Sequence, residues 1–114
     1  MLQNNITPEI ITQFENIIGQ SFVFLDQETR NQYGHDETED FVFPPAVVIK
    51  PASAKEISEI LILANQHKIP VTPIGARTGL SGGALSIHEG IGLSLERLNK
   101  IINIDEQNLQ ITVE

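Results

Sequence analysis

Within ten residues, Gly75-Ala76-Arg77-Thr78-Gly79-Leu80-Ser81-Gly82-Gly83-Ala84, the chain carries four glycines, two hydroxyls and one arginine. Glycine lets a backbone turn tightly and bring its N–H groups close to a ligand. Successive N–H groups in such a turn form a concave anion site. The hydroxyls of Thr78 and Ser81 can donate, and the Arg77 guanidinium can add a charge-assisted fork. The chemistry these residues suit is the cradling of a phosphate. Two common nucleotide motifs do not fit. The dinucleotide fingerprint wants a second glycine where Arg77 stands and a helix directly afterwards. The triphosphate loop wants Lys then Ser or Thr after its last glycine, and Gly82-Gly83-Ala84 offers neither.

Other candidate chemistry is thinner. Asp36, Glu37, Glu39 and Asp40 form an acidic cluster that reads as a solvated loop rather than a metal site. His67 stands near an expected helix end, where it complements the dipole. His35 and His88 have no partner at ligand spacing, so no metal is expected. With no cysteine, neither a disulfide nor a thiolate metal site can form. Asp36 or Glu39 as a general base finds no support in the spacing, and the catalytic residues stay unknown.

The elements that must position the loop are legible around it. Thr7-Pro8-Glu9 starts a helix, as cap, first helical proline and first-turn acid. Ile10, Ile11, Phe14, Ile17 and Ile18 give it an apolar stripe, and Gly19 stops it. A second helical stretch runs from about Asp26 to Tyr33. Ala46-Val47-Val48-Ile49 reads as a buried strand closed by Pro51. Ser53 and Glu56 fit a capping box for a helix with Ile57, Ile60, Leu61 and Ala64 on one face and Leu63 beside it. Ile69 to Thr72 resumes a strand, completing a parallel crossover unit with the glycine loop at its C-terminal end. Ile91–Leu95, Ile101–Ile104 and Leu109–Val113 are three later strand candidates, the last two joined by a turn at Asp105–Asn108.

Bulk properties exclude whole classes. The 114 residues carry 15 acids against 7 bases, a net charge of −8. Nucleic acid and anionic membrane surfaces are disfavoured as partners, because both demand a basic face. The first residues lack the basic start and apolar core of a signal peptide, and no apolar run approaches the ~20 residues of a membrane span. A cytoplasmic location is expected, peripheral to a membrane only through a partner.

The run Pro73–Ala84 resembles the flavin pyrophosphate loop of the vanillyl-alcohol-oxidase and p-cresol-methylhydroxylase superfamily, nearest its branch of glycolate oxidases and D-lactate dehydrogenases. The resemblance extends to Tyr33-Gly34-His35-Asp36 with Pro44–Pro51, to Ile57–Pro70, and to Gly92–Ile101, so it spans roughly Tyr33 to Glu114. It implies FAD as cofactor, with Pro73, Ile74, Gly75, Ala76, Arg77, Thr78, Gly79, Ser81 and Gly82 as binding residues. The pyrophosphate would lie on backbone N–H groups of Gly75 to Gly79 and of Ser81 to Gly82. Thr78 stands where some members attach flavin through a histidine, so the flavin is expected to be non-covalent. The family carries glycine or another small residue at the Arg77 position, and a non-glycine residue there must find an allowed dihedral or strain the turn. Arg77 itself is either a plain exposed side chain or a charge partner for the diphosphate.

The implied fold class is α+β: a parallel β-α-β crossover subdomain with packed helices, leading into a second set of mostly antiparallel strands. Residues 1–43 form a helical lead-in, and residues 44–114 the first part of an FAD-binding domain of p-cresol-methylhydroxylase type. The rest of that domain and the substrate domain are expected to be absent, leaving this stretch inactive alone. The implied reaction oxidises a D-2-hydroxy acid, of glycolate or D-lactate type, to the 2-oxo acid by hydride transfer to FAD. An electron-acceptor or iron–sulfur protein is a further implied partner. Two other readings stand beside this one: a non-redox phosphate- or nucleotide-binding module using the same loop, and a fragment that self-associates through unfinished sheet edges.

Overall fold

The computed structural model describes residues 6–37 and 41–114. Its first helix, α1 (Pro8–Ile18), begins after Thr7, whose hydroxyl accepts the Ile10 N–H at 3.3 Å. Pro8 occupies the first turn, where a missing N–H costs nothing, and Gly19 ends the helix at φ +95°. Ile10, Ile11, Phe14 and Ile18 form its buried face. A 3-10 turn (Gln20–Phe22) leads into a two-residue strand, β1 (Val23–Phe24). Asp26 then caps α2 (Gln27–Gln32) by accepting the Thr29 N–H at 2.9 Å, and Tyr33 closes it.

β2 (Val47–Ile49) is buried at every position, as a strand covered on both faces must be. Ser53 caps α3 (Ala54–Gln66) by accepting the Glu56 N–H at 3.2 Å. The Glu56 carboxylate reaches back to the Ala52 N–H at 2.7 Å, one residue before the usual reciprocal bond. Ile60, Leu63 and Ala64 are buried, but Leu61, expected on that face, is 43% exposed. It lies about 100° around the helix from Ile60, past the stripe that the sheet and α1 cover.

β3 (Val71–Ile74) starts two residues later than expected and runs through Pro73. It is an edge strand, where proline's missing N–H breaks no central ladder. The sheet order is β1-β2-β4-β3, with β4 spanning Ile91–Ser94. β1 is antiparallel to β2, while β2 and β3 each run parallel to β4. The crossover through α3 therefore skips one position, and β4 fills it. The apolar run Ile91–Leu95 does not belong with the later strands, as its place in the chain suggested. It is the central partner of the first sheet.

One face of this sheet packs Val47, Ile49, Ile91 and Leu93 against α1 and α3. The other face gathers Val48 and Ile74 with Tyr33 and Phe24. β5 (Ile101–Asp105) and β6 (Gln110–Val113) form a separate antiparallel hairpin. The Asp105 carboxylate builds its turn by accepting the Asn108 backbone N–H at 3.1 Å and side-chain amide at 2.8 Å. The fold is α+β, a parallel crossover sheet with packed helices followed by an antiparallel pair. Among the described residues no helix is long and apolar enough to cross a membrane.

Candidate functional site

The C-terminal ends of β2, β4 and β3 share one edge of the sheet, so Lys50, Glu96 and the glycine loop emerge side by side. That edge is where ligands bind in open parallel sheets. The loop leaves β3 at Gly75. Pro73, Gly75, Ala76, Thr78, Gly79 and Ser81 are exposed, and Arg77 and Gly82 are half-buried. Ile74 is fully buried against Tyr33 and Val48, so only its backbone faces the loop.

None of the backbone N–H groups from Gly75 to Ala84 donates to another group among the described residues, and the Thr78 and Ser81 hydroxyls are equally unspent. A Cβ built on Gly75 or Gly79 would meet nothing within 4 Å, and neither residue needs a positive φ. Neither the protein's own packing nor backbone geometry demands glycine at these two positions. Glycine there leaves the loop backbone open to close approach from outside. Beside the loop, Phe41, Phe43, Leu80, Leu85 and Ile87 line an apolar groove of about 420 Å³. Between two of them the Ser86 hydroxyl is buried without a hydrogen-bond partner among the described residues, a need that a bound polar group or water would meet. Unspent donors, space for approach and an apolar groove together fit a diphosphate that carries ring systems.

The structure gives Arg77 partners of its own. Its guanidinium donates to the Gln32 carbonyl, and its central carbon sits 4.9 Å from the Tyr33 ring centroid. Its φ is +61°, the left-handed region that a glycine would enter freely. Gly82 also has a positive φ, +79°.

Tyr33, Lys50 and Glu96, none singled out from the sequence as site residues, form a polar cluster under the loop. The Tyr33 hydroxyl donates to Glu96 Oε1, and Ser94 Oγ donates to the same oxygen at 2.9 Å. Lys50 Nζ lies 3.4 Å from it and 5.0 Å from the Tyr33 ring centroid. The Tyr33 hydroxyl is the largest influence on the Glu96 carboxyl, and with Ser94 and Lys50 it overcomes burial to hold the pKa below 4.5. For Lys50 burial is the largest influence and pulls downward, yet Tyr33 and Glu96 together carry the ammonium above 10.5.

A carboxyl lowered on folding stabilises the fold above its unfolded value and loses that contribution as pH falls through the folded one. The wild type is therefore expected to be more stable than Glu96→Gln at pH 7, with the gap closing as pH drops below 4.5. Thermal melts of both proteins across that range check it; parallel curves would refute it.

Of the acidic cluster, Glu37 is exposed as the sequence suggested, but Asp36 is not. Asp36 is only 8% exposed, because the segment after α2 lies against the glycine loop, where the Glu37 N–H donates to the Gly79 carbonyl at 3.2 Å. Glu39 and Asp40 lie outside the described residues. His35 and His88 are exposed, and His67 caps the C-terminus of α3. The groove was missed as well, though Phe41-Val42-Phe43 directly after the acidic run carried an aromatic signal for it.

A family model described as an FAD binding domain matches residues 45–114. The D-lactate dehydrogenase of Anaerostipes hadrus is 38% identical over 112 residues, covering 97% of this chain and 23% of that protein. The glycolate oxidase subunit GlcD of Bacillus subtilis (strain 168) is 33% identical over 109 residues, covering 96% of this chain and 23% of its own length. The chain thus spans about a quarter of the length of the curated relatives it matches. A solved structure of p-cresol methylhydroxylase with substrate bound superposes with a TM-score of 0.75 at 24% identity, over 91% of this chain and 22% of that one. That last likeness speaks for the fold. The matched residues contain β2 through β6 and the whole glycine loop, so the chain belongs to the FAD binding domain family.

Proposed function

We propose that the loop from Pro73 to Gly82 holds the diphosphate of FAD. Backbone N–H groups of Gly75, Ala76, Arg77, Thr78, Gly79, Ser81 and Gly82 would donate to it, with the Thr78 and Ser81 hydroxyls adding side-chain donors. Pro73 and Ile74 set the direction in which the loop leaves the sheet. The observation that carries this reading is the run of unspent N–H groups beside two glycines whose missing side chains leave open space. The flavin is held without a covalent bond, Thr78 standing at the attachment position.

In a protein of the relatives' length, we infer an FAD-dependent dehydrogenase or oxidase acting on a D-2-hydroxy acid of the lactate or glycolate type. When bound, the cofactor supplies the electron sink that accepts hydride from the hydroxy acid's α-carbon. The described residues supply binding and orientation: donors from the loop, and apolar walls from Phe41, Phe43 and Leu80 that keep water from one side of the site. Residues 44–114 form the start of the cofactor domain and residues 1–43 its lead-in.

An FAD titration followed by flavin fluorescence tests the reading, on this chain and on a chain extended to the relatives' length. Saturable binding is expected, tighter in the longer chain because more of the cofactor is enclosed. A longer chain that takes up no flavin would overturn it. Equal affinity for ADP and FAD in the longer chain would favour a nucleotide-binding module without redox chemistry.

A further inference from the structure

Residues 27–37 lie outside the matched family region, yet they touch the glycine loop at two points. The first is the Arg77 guanidinium, which donates to the Gln32 carbonyl and stacks on Tyr33 at 4.9 Å. Gln32 ends α2, so its carbonyl is one of those a helix leaves without an intrahelical donor. The second is the Glu37 N–H, which donates to the Gly79 carbonyl at 3.2 Å. Tyr33 is itself fixed from behind, its hydroxyl on Glu96 and its ring against Lys50. Neither tie uses a backbone N–H of the loop, which spends none among the described residues, and Arg77 sits in the left-handed region that disfavours a side chain. Something must hold it there.

We propose that α2 and Tyr33 are a built-in brace for the cofactor loop, and that the Arg77 side chain is the clasp. The inference rests on the loop being the diphosphate site. Arg77 contributes its backbone N–H to the ligand and its guanidinium to the brace. Tyr33 is a positioning residue that acts through Arg77. The lead-in is therefore part of the cofactor site in this chain, not a separate appendage.

The geometry separates a clasp from a direct charge partner. A clasp needs the planar fork and the aromatic face, whereas a charge partner needs only the positive charge. Four variants of the 114-residue chain decide it: Arg77→Lys, Tyr33→Leu, Tyr33→Phe, and Arg77→Lys combined with Tyr33→Leu. The first readout needs no ligand, namely the hydrogen-exchange rate of the Glu37 amide, which the brace protects. The second is FAD affinity at two salt concentrations. Losing a cation–aromatic contact and a charged hydrogen bond is expected to speed Glu37 exchange and weaken FAD by about tenfold in Arg77→Lys and in Tyr33→Leu. The double variant is expected to be no worse than either single one, because both remove the same clasp. Tyr33→Phe keeps the ring under Arg77 but gives up the bond to Glu96, and is expected to fall between the wild type and Tyr33→Leu in both readouts; a loss as large as that of Tyr33→Leu would overturn the ring as the clasp's partner.

Wild-type exchange and affinity in Arg77→Lys would overturn the brace and make Arg77 a direct phosphate partner, as would a loss that vanishes at high salt. Additive losses in the double variant would also overturn it. Should the wild type and its extended form refuse FAD, the cofactor reading fails, while the Glu37 amide still decides the brace.

Discussion

Gly90→Ala is expected to be the most damaging single-methyl change in this protein, lowering stability by about 3–6 kcal/mol from strain, overpacking and broken buried hydrogen bonds. Gly90 sits at φ +64°, and a Cβ there would lie 2.2 Å from the Pro70 carbonyl oxygen and 3.0 Å from its carbon. Those are backbone atoms, so no side chain can swing aside. The same Pro70 oxygen accepts the Ile91 N–H at 2.8 Å, tying β4 to the chain just before β3. The Gly90 carbonyl accepts the Ala46 N–H at 2.9 Å and the Val47 N–H at 3.3 Å, tying β4 to the start of β2. Any shift that relieves the clash breaks bonds to both neighbours of the central strand. Small domains have about 5–15 kcal/mol in all, so the variant should lose most of its folded population margin. Urea denaturation of wild type and variant measures it; a difference below about 1 kcal/mol would mean that β4 can enter the sheet without a glycine at this corner.

That corner explains why the sheet was only half legible in the sequence. Caps are local, and Thr7-Pro8, Asp26 and Ser53 with Glu56 mark their helices within four residues of chain. Strand partnership is not local. Ile91-Gly92-Leu93-Ser94-Leu95 has the same apolar pattern whether it opens an antiparallel group or slots between two parallel strands. What decides is space: Gly92 lies under Pro45 and Ile74, where a Cβ would come within 2.9 Å of the Pro45 ring. β1, at two residues, is too short to show any periodicity.

The site follows the same division. The loop's glycines and hydroxyls suggest the proposed phosphate cradle by type and spacing alone, and the family match names the cofactor. The Arg77 side chain could not be placed from its neighbours, because its partners Gln32 and Tyr33 come from a helix some 45 residues earlier. Asp36 read as solvent-facing for the same reason, since the loop that buries it is distant in the chain. Phe41 and Phe43 gave an aromatic signal but no repeating pattern, so the sequence alone did not place them on the groove they line.

Gly75→Val should separate binding from folding more sharply than any other change in the loop. Its Cβ would meet nothing of the protein within 4 Å, and its φ lies outside the left-handed region. The folded protein is therefore expected to lose no more than about 0.5 kcal/mol, the range of a surface substitution away from special geometry. Binding is another matter. An isopropyl group beside the unspent N–H groups would hold the diphosphate out of hydrogen-bond reach. Each bond between a backbone N–H and a charged oxygen is worth about 1.5–3 kcal/mol, so losing even one or two predicts an affinity loss on the order of 100-fold. Gly79→Val is expected to behave alike, its Cβ site being equally open. Gly82→Val gives the contrast. At φ +79° with Leu85 3.4 Å from its Cβ site, it should lose stability as well as affinity. Thermal melts and FAD titrations on the three variants, in the chain extended to the relatives' length, read the two effects independently. Affinity unchanged in Gly75→Val and Gly79→Val would move the diphosphate off this loop. A large stability loss in Gly75→Val would mean that its open space belongs to folding rather than to the cofactor.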